Sequence, residues 1–77
     1  MYGCRWCSDT ISAQSIFQKL GIDYQYIDID SDEKAAEFVV SINHGNRSVP
    51  TILFPDGSIL VEPRSNALRE KLTSFLP

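Results

Sequence analysis

Two helix-like patterns flank one β-like run in this chain, and that order decides how its sheet can be connected. Apolar residues recur at the i, i+3, i+4, i+7 spacing of a buried helix face over residues 8–20, and a wide apolar face covers 32–42. Residues 22–29 lie between them and are rich in Tyr and Ile, which favour strands. Parallel strands joined by a helix form a right-handed crossover, so the pattern predicts a β-α-β unit whose first strand is the short segment 1–3.

A hairpin and a closing helix are predicted to follow this unit. Residues 51–54 form a β-branched and aromatic run, Pro55-Asp56-Gly57 is a turn signal, and residues 58–62 return as a strand. We expect Ser65 or Asn66 to cap the final helix. The predicted order is β-α-β-α-β-β-α, an α/β fold with a four-stranded mixed sheet, helices on both faces and a first strand that looks truncated.

Length and charge exclude several classes of function. The 77 residues make one domain with a modest core, because a chain near this size buries only about 60% of its unfolded surface. The net charge of −3 offers no basic face for nucleic acid, and no apolar run is long enough to span a membrane. We see no secretory signal in the opening MYGC. We therefore expect a cytoplasmic monomer, folded over residues 1–77, without a nucleic-acid or membrane partner.

Local signals predict how both central helices begin and end. Gly21 stands where a left-handed C-cap is expected. Asp30 and Glu33 fit a capping box for the second helix. This role is favoured over metal ligation for the acidic run 28–33, since acids in a first helical turn also suit the helix dipole.

Both cysteines lie in the stretch before the first helix, at positions 4 and 7. Because Cys7 falls at a helix start, the unpaired N–H groups and the helix dipole there favour its thiolate. A Cys-x-x-Cys beside a β-α-β pattern indicates redox chemistry, whereas two cysteines and one distant histidine make a poor zinc site. We expect no metal and no bound cofactor.

One segment, Asn-His-Gly-Asn-Arg-Ser-Val-Pro-Thr at 43–51, is specific enough to indicate a family. Trp6-Cys7 and Gly21-Ile22 accompany it around the first helix, as does Ala-Ala-Glu-Phe-Val at 35–39 in the second. Together these segments resemble the glutaredoxins of the thioredoxin fold, and more narrowly the mycoredoxins and related glutaredoxin-like proteins of actinobacteria, over nearly the whole chain. The resemblance implies a thiol–disulfide oxidoreductase that reduces mixed disulfides between proteins and a low-molecular-weight thiol. That thiol, mycothiol or glutathione, acts as a co-substrate.

The resemblance also assigns roles around the first helix. In this family a Trp-Cys dipeptide opens the active-site motif, and Cys7 lies at the matching distance, fourteen positions before Gly21, so Cys7 is the expected nucleophile. The family's second cysteine corresponds to Thr10, which implies a monothiol mechanism with the Thr10 hydroxyl donating to the Cys7 thiolate. Two roles stay open for Cys4: a thiol that resolves Cys7 by a dithiol route, or a small loop residue. A further hypothesis, a monothiol iron–sulfur cluster-binding module, goes with a Cys-Gly-Phe-Ser pattern that this sequence lacks.

A binding groove beside Cys7 is implied as well. Val49-Pro50 corresponds to the family's cis-proline motif, in which the backbone of Val49 pairs with the substrate. Trp6 is expected to form a wall of the groove. The chain lacks the Gly-Gly-Cys-Asp segment of many glutathione-binding glutaredoxins, so mycothiol stands beside glutathione as the candidate thiol. The side chains expected to hold the polar end of that thiol are Arg47, Ser48, Ser65 and Asn66.

Overall fold

A four-stranded mixed sheet with three helices forms the protein, and the computed structural model describes residues 1–76 of it. The strands lie in the order β2-β1-β3-β4, with β1 parallel to β2 and antiparallel to β3. The β-α-β-α-β-β-α prediction is therefore confirmed. The elements are β1 (Tyr2–Gly3), α1 (Ser8–Leu20), β2 (Ile27–Asp28), α2 (Glu33–Ile42), β3 (Thr51–Leu53), β4 (Ile59–Val61) and α3 (Ser65–Thr73).

The helices cover both faces of the sheet, as predicted. On one face α1 and α3 pack together over a core that includes Phe17, Ile52 and Leu68. On the other face α2 buries Val39 against Ile29 in a smaller cluster. None of the helices in residues 1–76 is long and apolar enough to cross a membrane.

The predicted strand over residues 22–29 is wrong in extent, since only Ile27–Asp28 joins the sheet. Its neighbour β1 is two residues long and can pair with only a short partner. The ladder between them is closed by the N–H groups of Ile27 and Ile29, which donate to the carbonyls of Met1 (2.9 Å) and Gly3 (3.0 Å).

Two predicted helix caps are also corrected. The carboxylate that caps α2 belongs to Asp32, which accepts from Ala35 N–H at 3.1 Å. The Asp30 side chain is instead paired with Arg47 at 3.2 Å. At α3 the N-cap is Arg64, whose backbone is extended (φ −67°, ψ 153°), so Ser65 and Asn66 lie inside the first turn.

The predicted C-cap of α1 is confirmed. Gly21 has the left-handed conformation (φ 66°, ψ 30°), and its N–H donates to the carbonyl of Gln18 at 3.1 Å. A residue with a Cβ is strained in that conformation, which is why glycine ends the helix here.

Candidate active site

Cys7 is the N-cap of α1, where the sequence predicted the helix to begin. Its backbone is extended (φ −83°, ψ 123°), and its carbonyl accepts from Ile11 N–H at 3.1 Å. The thiol is half-buried, so an incoming disulfide can reach it.

A tight turn joins the two cysteines. Cys7 N–H donates to the carbonyl of Cys4 at 3.2 Å, which closes a four-residue turn through Arg5 and Trp6. Such a turn keeps its first and last α-carbons within about 7 Å. Cys4 is buried while Trp6, at the tip, is 79% exposed, so its ring stands free of the sheet.

The environment of Cys7 does not favour the thiolate in the way that its position on the helix predicted. Its pKa is raised from the ordinary value of 9.0 to about 11. The largest cause is a hydrogen bond with the Cys4 side chain, followed by lost hydration and by the negative charges of Cys4, Asp30 and Asp9. The Cys4 side chain is therefore the main influence on the pKa of Cys7 in the reduced protein.

Thr10 supports Cys4 in the structure. Its fully buried hydroxyl oxygen accepts from Cys4 N–H at 3.4 Å, whereas no hydrogen bond joins it to Cys7 in the described part of the chain. The side chain is also pressed against β1, since a Cβ placed on Gly3 would lie 2.6 Å from Thr10 Cγ2. The structure thus shows a contact that positions the Cys4 backbone, and donation from the Thr10 hydroxyl to a Cys7 thiolate stays a prediction.

The Val49–Pro50 peptide bond is cis, as the resemblance implied. Strand β1 pairs with β3 in a register that sets Tyr2 opposite Thr51. Continuing that antiparallel register sets Cys4 opposite Val49, so the cis peptide and the cysteine turn lie at the same end of the sheet. Pro50 is buried and Val49 half-buried there.

The four residues predicted to bind the polar end of the small thiol do not lie together in the structure. Arg47 is held beside Asp30, whose charge acts on Cys7, and Ser48 follows it in the same loop. Ser65 lines a cleft of about 130 Å³ between α1 and α3, together with Asp9. Asn66 does not line that cleft, and its Oδ1 accepts from Ala67 N–H at 2.9 Å within the helix.

Asp30 is a site residue that the sequence analysis missed, because it was assigned to a helix cap. A topological signal was available. Cys4 directly follows β1 and Asp30 follows β2, and these strands are parallel. Residues after the carboxyl ends of adjacent parallel strands converge at one edge of a sheet.

Comparison with known proteins agrees with this geometry. The family model named Glutaredoxin matches residues 1–59. The chain belongs to the glutaredoxin family. It is 41% identical over 76 residues to mycoredoxin 1 of Corynebacterium glutamicum, an alignment that covers 97% of this chain and 92% of that protein. It is also 39% identical over 75 residues to a Mycobacterium tuberculosis (strain H37Rv) protein that carries the name of a glutaredoxin, with 97% and 89% covered.

Membership of this family makes the chain a thiol–disulfide oxidoreductase with a thioredoxin-like α/β fold. The predicted nucleophile, Cys7, lies at the turn before α1. An apolar cavity of about 340 Å³ lies elsewhere, lined by Phe17, Ile22 and Phe54 among others, and neither cysteine lines it.

Proposed function

We propose that this glutaredoxin reduces mixed disulfides between proteins and a low-molecular-weight thiol, mycothiol or glutathione, by a monothiol mechanism at Cys7. The supporting observation is that Cys7 is the accessible thiol at the start of α1, whereas Cys4 is only 6% exposed. The Cys7 sulfur attacks the small thiol's sulfur, and the protein sulfur leaves and takes up a proton. A second small thiol then attacks the adduct, which releases Cys7 as a thiol and a symmetrical small disulfide.

The proton on Cys7 limits the first step. With its pKa raised to about 11, only a small fraction of Cys7 is thiolate at neutral pH. A thiolate of high pKa is intrinsically the better nucleophile, with a Brønsted coefficient of about 0.4–0.5, which offsets about half of that loss on a logarithmic scale. The attack is therefore expected to accelerate as the pH rises towards 11.

The surroundings of Cys7 offer separate contacts for the two halves of the substrate. Trp6, exposed beside the nucleophile, provides an apolar contact for the protein half, and the Val49 backbone lies at the same end of the sheet. Arg47 is a cation beside the same edge, although Asp30 neutralises part of its charge. A small thiol with a carboxylate suits Arg47, because a guanidinium and a carboxylate form charge-assisted hydrogen bonds.

We also propose that the chain works as a monomer in the cytoplasm. The sequence carries two cysteines, which are too few for the disulfide framework of a small secreted domain. A reducing compartment keeps such thiols reduced.

The test is reduction of a model protein that carries either small thiol as a mixed disulfide, with release of the free protein thiol followed over time. Cys7→Ser should abolish the reaction, and Cys4→Ser should keep most of it. The two small thiols are compared as the second reductant in the same assay. Full activity of Cys7→Ser, or equal loss in both variants, would count against a monothiol role for Cys7.

A further inference from the structure

Cys4 lies in the protein interior directly behind the nucleophile. We propose that Cys4 is a resolving thiol that acts from the turn side of Cys7, displacing the small thiol and closing a Cys4–Cys7 disulfide. This inference rests on the proposed function, because it begins from the adduct of the small thiol on Cys7. It adds a second activity, a dithiol route that proceeds when free small thiol is scarce.

The backbone geometry permits this bond. The hydrogen bond from Cys7 N–H to the Cys4 carbonyl, at 3.2 Å, defines a turn whose end α-carbons are within about 7 Å. Disulfides span α-carbons at roughly 4.4–6.8 Å. The Cys4 side chain is also the largest influence on the pKa of Cys7, which agrees with the close approach of the two residues across this turn.

Unequal exposure sets the order of events. Cys4 is 6% exposed, so a bulky protein disulfide cannot reach it, whereas Cys7 is half-buried at the open end of α1. Substrate therefore reacts first at Cys7. Cys4 meets only a disulfide that Cys7 already carries.

Thr10 is the positioning residue for this step. Its hydroxyl oxygen accepts from Cys4 N–H at 3.4 Å, and the side chain is completely buried against Gly3. This contact holds the first residue of the turn at the end of β1. Losing it should disturb the reach of Cys4 towards Cys7 while leaving Cys7 itself at the N-cap of α1.

The chemistry balances with the thiols already named. The Cys4 sulfur loses its proton to solvent and attacks the Cys7 sulfur of the adduct. The bond from Cys7 to the small thiol breaks, and the small thiol leaves with the electron pair and takes up a proton. The new Cys4–Cys7 disulfide is reopened by two equivalents of a thiol, which are oxidised to a disulfide.

The experiment uses the fully reduced chain with an excess of bis(2-hydroxyethyl) disulfide, quenched by acid and followed by intact and peptide mass. Wild type should lose the mass of two hydrogen atoms and carry no adduct. Cys4→Ser and Cys4→Ala should each retain one adduct, located on Cys7. Cys7→Ser should stay unmodified, since Cys4 is buried.

Thr10→Val supplies a second, independent readout. The loss of the adduct from Cys7 should slow by a larger factor than the formation of that adduct. Thr10→Ser, which retains the hydroxyl, should restore that second rate. Equal slowing of both steps would indicate a merely structural effect of Thr10.

The outcomes separate the two proposals. A stable adduct on Cys7 in wild type, with Cys4 still open to alkylation after denaturation, overturns the resolving role and leaves the monothiol function intact. An adduct on Cys4 in Cys7→Ser overturns the order argued from exposure. If the folded wild type reacts at neither cysteine, the proposed function itself fails.

Discussion

Gly3 is the position at which one methyl group tests how tightly the active-site turn is packed. In Gly3→Ala the new Cβ would lie 2.6 Å from Thr10 Cγ2 and 3.0 Å from both Thr10 Oγ1 and Tyr26 Cε1. Thr10 is completely buried and β-branched, so it has little freedom to move aside. Either the end of β1 or the first turn of α1 must therefore shift.

The expected cost follows from two opposing effects. Overpacking a well-packed site costs about 1–3 kcal/mol. Replacing glycine by alanine returns about 0.4–1 kcal/mol by restricting the unfolded chain. Overpacking is the larger effect, and a net loss of about 1.5 kcal/mol would lower the Tm of a domain of this size by about 6–12 °C.

A double-mutant cycle identifies the contact responsible. Thr10→Ser removes Cγ2 and keeps the hydroxyl that accepts from Cys4 N–H. In that background Gly3→Ala should cost about 1 kcal/mol less, within the range of about 0.5–3 kcal/mol seen for residues in contact. The assay is urea unfolding of wild type, both single variants and the double variant, monitored by circular dichroism in reducing buffer.

The control is Gly21→Ala, which is strained by its positive φ of 66° but meets no atom within 4 Å. Its cost should be the same with Thr10 or Ser at position 10. If the cost of Gly3→Ala is also unchanged between the two backgrounds, to within about 0.3 kcal/mol, the crowding argument is refuted. A neutral Gly3→Ala in wild type would refute it equally.

Three further outcomes are expected. Tyr26→Phe should stabilise the protein by about 1 kcal/mol, because the buried Tyr26 hydroxyl has no hydrogen-bond partner among the described residues; a loss of stability in urea unfolding would contradict this. Because the folded protein holds the Cys7 proton up to a pKa of about 11 while the unfolded chain releases it near 9.0, stability should be fully present below pH 9.0 and fall as the pH rises to 11. Thermal unfolding across that window should show a smaller fall for Cys4→Ser than for wild type, and an equal fall would count against the Cys4 hydrogen bond as the main cause. Leu68→Ala should cost about 2–5 kcal/mol because Leu68 is 1% exposed, whereas Leu76→Ala, at a site 41% exposed, should stay within about 0.5 kcal/mol; similar urea midpoints for the two variants would show that the α3 core contributes little.

Helix α1 was predictable from sequence to the residue, Ser8–Leu20, because its signals are local. The apolar period lies within the helix itself, and Gly21 ends it. The extent of strand β2 was not predictable from its own sequence, because a ladder needs a partner of equal length and β1 offers only Tyr2–Gly3. The extent of a strand is a property of a pair of segments, and one segment alone does not contain it.

In the candidate site, too, features set by the local sequence were predictable and features set by distant residues were not. The location of Cys7 at a helix start follows from local pattern, and the cis bond before Pro50 followed from the resemblance. The raised pKa of Cys7 could not be predicted from the local pattern. It depends on the position of the Cys4 side chain and on Asp30, which follows another strand, β2. Rules for helix termini describe the effect of the backbone alone and do not include side-chain neighbours.

Cys4 and Thr10 each lie three positions from Cys7 in the sequence, one before it and one after it. On the helix side, residues three apart share one face of the first turn. On the other side, the hydrogen-bonded turn brings residues three apart within about 7 Å. Both local structures therefore place the residue three positions away next to Cys7. These two residues are also joined to each other, because the Thr10 hydroxyl oxygen accepts a hydrogen bond from Cys4 N–H. A cysteine at position 4 instead of position 10 therefore keeps its access to Cys7. At position 4 it follows β1 and is buried. This geometric equivalence is the physical basis of the proposal that a thiol on the turn side performs the step that a thiol on the helix side would otherwise perform.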